Sequence, residues 1–314
     1  MTTLDAPVPG RPYALVTGGA GETPLDIAEA DVIRAYKTYG AVLLRGFDLD
    51  IDVFRAFAER YCAHSMFNES AGRDVLDEAH NIQTVNIGAE AFPLHPELSR
   101  DPWKPDACFF WCMNPPTGGG ETTVCDGVDL VRRLPPAVRA AFEPRRLRYI
   151  KPVTPAECAY WLGDPAPSDA LLARPPATSP YRFGRAGSVV VRYFTRPALH
   201  TPMFTEERAF GNFLLFNRYL RGIRNFPTFE NGEIVSDELL GEVKAVSDQL
   251  EAPIEWRTND LIVLDNTRFM HGRRAVRQVE ERRIATYFGY LKFALPNPED
   301  PVDPPWRRGA FRPP

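Results

Sequence analysis

From Asn81 onward the chain is cut into short apolar runs by glycine, proline and small polar residues, and this punctuation limits what it can fold into. The runs fall at 83–87, 107–113, 121–125, 147–152, 188–193, 254–256, 261–264 and 282–293. Most are too short for a stable helix, and many short strands between turn signals predict a sandwich or barrel. Helical patterns interrupt the series at 127–142, about 205–222 and 236–250. Ahead of them, 25–40 carries Ile27, Val32, Ile33 and Tyr36 at near-helical spacing. A short buried strand follows at 41–45, and a second helix from Asp50 sets Phe54, Phe57 and Tyr61 on one face. The expected fold is mainly β with peripheral helices (α+β), in one catalytic domain over 1–314. Within it, about 160–250 forms a helical insert suited to a lid, and 295–314 is a Pro-rich tail, strapped or frayed; the chain has 31 prolines.

Hydrophobic residues make up 44% and charged residues 25%, which excludes a disordered or fibrous chain. No apolar run is long enough to span a membrane, and the start lacks the basic-then-apolar order of a secretion signal. A net charge of -4 without a basic stripe argues against a nucleic-acid partner. The five cysteines form no C-x-x-C pair, so reduced thiols in the cytoplasm are expected, with Cys108 and Cys112 as core residues.

Histidine is scarce, at 64, 80, 95, 200 and 271. His95-Pro96-Glu97 would present a nitrogen and an oxygen to one side if extended, because residues i and i+2 of a strand share a face. One such match means little: five histidines among 41 acids in 314 residues give roughly 0.7 by chance, so a surface His and Glu beside a turn is the competing reading. A third donor is available in His271, just beyond the apolar run at 261–264. His95, Glu97 and His271 would form a two-histidine, one-carboxylate face with open positions, a set suited to non-haem Fe(II) and O2. His200 is a rival donor, while His64 and His80 read as ordinary histidines.

These residues sit in segments that together resemble the taurine dioxygenase family of Fe(II)/2-oxoglutarate-dependent oxygenases. The segments are Leu94-His95-Pro96-Glu97-Leu98-Ser99, Pro115-Pro116-Thr117-Gly118-Gly119-Gly120-Glu121-Thr122, Asp265-Asn266-x-Arg268-x-x-His271-Gly272-Arg273 and Arg282-Arg283-Ile284. They occur in the family's order, and the resemblance runs from about 25 to 293. It implies a double-stranded β-helix (jelly-roll, cupin-like) core, Fe(II) on His95, Glu97 and His271, and 2-oxoglutarate and O2 as co-substrates. It also implies that Thr122 and one of Arg282 or Arg283 bind 2-oxoglutarate. Adjacent strand residues face opposite ways, and Arg282 is preferred because Ile284 shares its side; a solvated pair of arginines is the alternative. Gly118–Gly120 reads as a loop without direct ligand contact. In place of the more frequent aspartate stands Glu97, as in relatives resembling clavaminate synthase and amino-acid hydroxylases. It fills the place that halogenating relatives leave free for halide. The His271-to-Arg282 spacing is short for the family. The second arginine that some members carry further along the last strand is absent, with Thr286 or Tyr287 there instead.

The implied reaction is oxidation, most simply hydroxylation, of an unactivated C–H bond in a small polar substrate, with an amino acid, free or tethered to a carrier, as the expected kind. Specialised metabolism is a natural setting. The stretch 67–75, with Asn68 and Arg73, resembles members that act on amino acids, and Arg73, Arg192 and Tyr193 are candidate substrate contacts. Two rival readings remain. A zinc hydrolase would use the same donors but leave Thr122 and Arg282 without a role. The other rival is a catalytically inert barrel that only binds.

Overall fold

The computed structural model describes residues 3–309 and 311–313. The first two residues and, within the Pro-rich tail, Ala310 and Pro314 lie outside the described residues. Two sheets pack face to face without closing into a barrel. The larger has nine strands, with Ala41–Arg45, Leu261–Asp265, Ala107–Asn114 and Arg283–Leu291 in its middle. The smaller runs Ala252–Pro253, Thr122–Asp126, Phe269–Arg273, Phe92–His95. Pairing is antiparallel except where Ala14–Thr17 runs parallel to Ala41–Arg45. This is the jelly-roll layering expected.

Alternation along the central strands explains why both faces of the large sheet are apolar. Cys108, Phe110 and Cys112 join Ile262, Leu264, Ile284 and Phe288 in the core shared with the small sheet. Their neighbours Phe109, Trp111, Val263 and Tyr287 face the other way, onto Val32 and Tyr36 of Glu29–Tyr39 and Phe54 and Phe57 of Ile51–Tyr61. The Asp50 carboxylate caps the second helix by accepting from the Val53 amide at 2.8 Å. All five cysteines are free and buried, so Cys108 and Cys112 are core residues as the pattern suggested. Among the described residues no helix is long and apolar enough to cross a membrane.

Several boundaries differ from expectation. The helix expected at 127–142 is two, Gly127–Arg133 and Pro136–Phe142, because consecutive prolines at 135 and 136 cannot continue the first. Of 205–222 only Leu214–Arg221 is helical. The run at 254–256 is not a strand, and its predecessor Ala252–Pro253 pairs instead. Segment 160–250 is not purely helical: it supplies Arg182–Ala186, Val189–Pro197 and Thr228–Phe229 to a third sheet built on Arg146–Pro152. The tail is strapped down. Trp306 is buried in the main core, and Arg307 forms a two-pronged pair with Asp106 at 2.8 Å on each prong.

Trp306→Ala should therefore destabilise the whole domain by about 3–5 kcal/mol, measured by denaturant unfolding. A change below about 0.5 kcal/mol would show that the tail is only draped over the core.

Candidate metal centre and its cavity

His95 and His271 are direct partners across the antiparallel pair Phe92–His95 and Phe269–Arg273, with ring centroids 4.7 Å apart. Glu97 is not on that strand. The strand ends at His95, Glu97 lies in the following turn, and Leu98 takes a left-handed φ of 51°. Extended i, i+2 geometry is therefore not what brings the carboxylate in. Asn266 does so: its side-chain oxygen accepts from the Glu97 amide at 2.8 Å, and its Nδ2 donates to the Glu97 and Pro105 carbonyls at 3.0 and 2.8 Å. Asn68 Nδ2 then donates to Glu97 Oε1 at 2.8 Å. One donor atom from each of His95, Glu97 and His271 lies within 4.8 Å of the others.

The protonation states suit a cation. His95 Nδ1 lies 2.8 Å from the Pro93 carbonyl, which assigns the proton there and leaves Nε2 as a lone pair. Burial, then the neighbouring His271, pulls the His95 imidazole down to about 3, so it stays neutral at ordinary pH. Burial alone would raise the Glu97 carboxyl. The His271 contact at 3.7 Å and the Arg73 charge at 3.5 Å outweigh it and hold Glu97 well below the usual carboxylate range. Two imidazoles and one carboxylate, the carboxylate and the His95 ring fixed by second-shell hydrogen bonds, fit a divalent transition metal.

The cluster borders a cavity of about 490 Å³ that also takes in Thr122, Arg282, Arg73 and Arg273. Arg282 donates from Nε to the Gly120 carbonyl at 2.6 Å and from Nη2 to Thr122 Oγ1 at 3.2 Å. Trp256 Nε1 donates to the same hydroxyl at 3.1 Å, so the Thr122 proton is left to point at a ligand. Burial, then the Arg273 charge, lowers Arg282 to about 9, which describes a cation waiting for an anion. Arg283 is exposed and does not border this cavity. The glycine run acts through backbone. Gly119 has φ +68°, and a Cβ there would sit 2.2 Å from the Ala275 carbonyl oxygen, so only glycine lets this loop seat against 275–277 beneath Arg282.

The remaining sequence candidates divide. Arg73 borders the metal cavity, and Arg192 borders an adjoining chamber. Tyr193, its strand neighbour, borders a separate groove with Arg146 and Arg196, because side chains alternate across a strand. His200 is apart from the donor cluster, its Nε2 2.6 Å from the Thr267 carbonyl. Sequence reading gave no role to Asn266 although it lies in a quoted motif. It passed over Trp256, Arg100 and Arg221, which no spacing marks, and gave no role to Arg273, which closes the His271 motif.

Two-histidine-one-carboxylate donors on a jelly roll define a class of non-haem metal site with open positions. The comparisons name the family: the model of the taurine catabolism dioxygenase TauD, TfdA family matches residues 11–286, and the chain belongs to it. It is thus an Fe(II)/2-oxoglutarate-dependent oxygenase, with O2 as co-substrate. Its fold is similar to PvcB of Pseudomonas aeruginosa (TM-score 0.60, 15% identity, 95% of this chain and 94% of that one). PvcB is described as an Fe, alpha-ketoglutarate dependent oxygenase from an isonitrile synthetic pathway. A taurine dioxygenase from Burkholderia xenovorans is also similar (TM-score 0.57, 13% identity, 92% and 90% covered). So is AAD-2 in complex with Mn(II) and N-oxalylglycine (0.57, 12%, 95% and 100%). No curated protein matches the sequence.

Two predictions follow from this geometry. Gly119→Ala should weaken 2-oxoglutarate binding and cost about 1–3 kcal/mol of stability, read by calorimetry and unfolding; unchanged values would detach the loop from Arg282. The second concerns pH. Burial, then the Lys104 charge, lowers His200 to about 3. Unfolded, the imidazole takes up a proton below about 6.5, so the unfolded chain binds more protons between 6.5 and 3, and stability falls as pH drops through that window. Asp265, raised to about 6 mainly by burial, opposes this below pH 6. His200→Gln should flatten the acid slope of unfolding free energy; an unaltered slope would mean that His200 is not held neutral.

Proposed function

We propose that this chain hydroxylates an unactivated C–H bond of a small polar, amino-acid-like substrate, with His95, Glu97 and His271 as the iron ligands. The observation that carries the reading is that these donors meet in one cavity with Arg282, half-buried and lacking an ion-pair partner among the described residues. Arg282 and Thr122 grip the far carboxylate of 2-oxoglutarate: a planar guanidinium matches a carboxylate fork, and the Thr122 proton adds a hydrogen bond. Arg73 holds the carboxylate nearer the metal. It reaches in from the loop before Val75–Asp77, its Nη1 3.5 Å from Thr286 Oγ1, and so supplies from another segment the second cation that the last strand lacks.

When bound, ferrous iron with 2-oxoglutarate supplies oxidation by O2, yielding succinate and CO2. The protein's share is to hold donors, co-substrate and substrate in register and to keep water out. Phe110 against His271 at 5.0 Å and Phe216 against His95 at 4.6 Å wall the donors with aromatic surface. Phe213, Phe216, Leu220 and Arg221 come from segment 160–250, which supports its reading as a lid over this cavity.

PvcB's biosynthetic setting supports specialised metabolism, and the glutamate ligand supports an amino-acid-like substrate, free or carrier-tethered. Five free buried thiols fit a reducing cytoplasm.

With Fe(II), 2-oxoglutarate and air the protein should form succinate, and His95→Ala should bind no Fe(II) and form none. Arg282→Ala should raise the 2-oxoglutarate KM at least about tenfold, while Arg283→Ala should leave it nearly unchanged. Wild-type turnover by His95→Ala, or a KM effect confined to Arg283→Ala, would break the assignment.

A further inference from the structure

Charge around the cavity is unbalanced. Arg73, Arg100, Arg221, Arg273 and Arg282 border it against only Glu90 and Glu97. A divalent metal and a doubly charged co-substrate offset each other, so five cations against two anions leave an excess of positive charge that favours an anionic substrate, even with Arg100 shared with Asp101 at 3.4 Å. Two of these cations stand at a junction. Phe213 and Phe216 stack 4.6 Å apart at 29°, with Arg100 over the first ring at 5.5 Å and Arg221 over the second at 5.4 Å. Phe216 in turn packs on His95, so the pair lies one aromatic layer from the donors. Among the described residues the Arg221 guanidinium has no hydrogen-bond or ion-pair partner.

Arg100 and Arg221 also border a second chamber of about 390 Å³, which shares Leu98 and Phe213 with the first. On its wall lie Lys151 and Arg192. Asp101 already serves Lys151 at 2.9 Å and Arg100 at 3.4 Å. Arg192 is only 6% exposed; its Nη2 pairs with Glu157 at 2.9 Å, and its Nε and Nη1 are buried without partners. Buried donors left unmade are costly, and a carboxylate reaching this wall would satisfy them.

We propose that the substrate is an elongated amino-acid diacid. Its side-chain carboxylate passes the junction between Arg100 and Arg221 to reach Arg192 and Lys151 on the wall of the outer chamber, while its amino-acid end, with the carbon to be oxidised, stays in the metal cavity. This rests on the oxygenase reading, because the co-substrate must already occupy Arg282.

The test uses protein loaded with Mn(II) and N-oxalylglycine, so that added acids cannot take the co-substrate's place. Loading is measured first: failure of N-oxalylglycine to bind in the presence of Mn(II) counts against the oxygenase reading itself. Calorimetric titration then compares aspartate, glutamate, 2-aminoadipate and 2-aminopimelate with their side-chain methyl esters. At least one diacid should bind ten times more tightly than its ester, and Arg221→Gln should erase that preference without altering N-oxalylglycine binding. Arg192→Gln removes a buried group, so Lys151→Gln, half exposed on the same wall, provides the second reading and should also shrink the preference. If no diacid is preferred over its ester, or if the preference survives both Arg221→Gln and Lys151→Gln, the proposal is wrong.

Discussion

The candidate centre depends on holding a carboxylate still where the strand that should carry it has ended. His95 and His271 are placed by sheet register, which is strongly specified when one face of each strand is buried. Glu97 has no such support, since it follows a proline and precedes a residue of positive φ. Asn266 substitutes for the missing ladder: one buried amide accepts from the backbone before the carboxylate and donates to the backbone after it. Asn68 then fixes the carboxylate itself. A buried network with every member satisfied is rigid, and rigidity here sets the spread of the three donor atoms.

Rigid donors would be of little use in a neutral pocket, and the pocket is far from neutral. Arg282 is half-buried with a hydroxyl and a carbonyl for company but no carboxylate, and Arg73 touches the one acid that a metal would also claim. Burying unpaired cations opposes folding. The large sheet, apolar on both faces, supplies the core that can bear it. Stability gathered between the sheets and under the helices is in this sense spent at the cavity.

Much of this was legible in the residues, and the losses have physical causes. Apolar strands such as Leu261–Asp265 and Ala107–Asn114 were visible because both of their faces are buried. The two strands that carry the histidines were not. Phe-Pro-Leu-His and Phe-Met-His-Gly-Arg point polar groups into the cavity, so the positions that make them functional erase their apolar pattern. The donors could be named from residue type and the order of motifs, whereas Asn266 sat in a motif without a stated role. Trp256, Arg100 and Arg221 meet the site through tertiary packing alone, and no local spacing encodes that. Segment 160–250 was read as a helical insert around a single strand run at 188–193; Arg182–Ala186 hairpins onto Val189–Pro197 across Gly187 and Ser188, and Val189–Pro197 and Thr228–Phe229 pair with Arg146–Pro152, outside the segment, to which no local spacing joins them.

That segment also differs from the sheets in how its position is held. The donors and Arg282 come from strands of the two packed sheets or the loops that join them, whereas Phe213, Phe216 and Arg221 come from segment 160–250. Sheet register cannot drift without moving every side chain on the strand, so the metal end of the cavity is hard to change. A helix docked by Phe213 and Phe216 on His95 can change its outward residues, such as Arg221, without disturbing the rings beneath. The donor geometry is thereby held by the sheets, and the element with the fewest register constraints is the one free to vary at the cavity mouth.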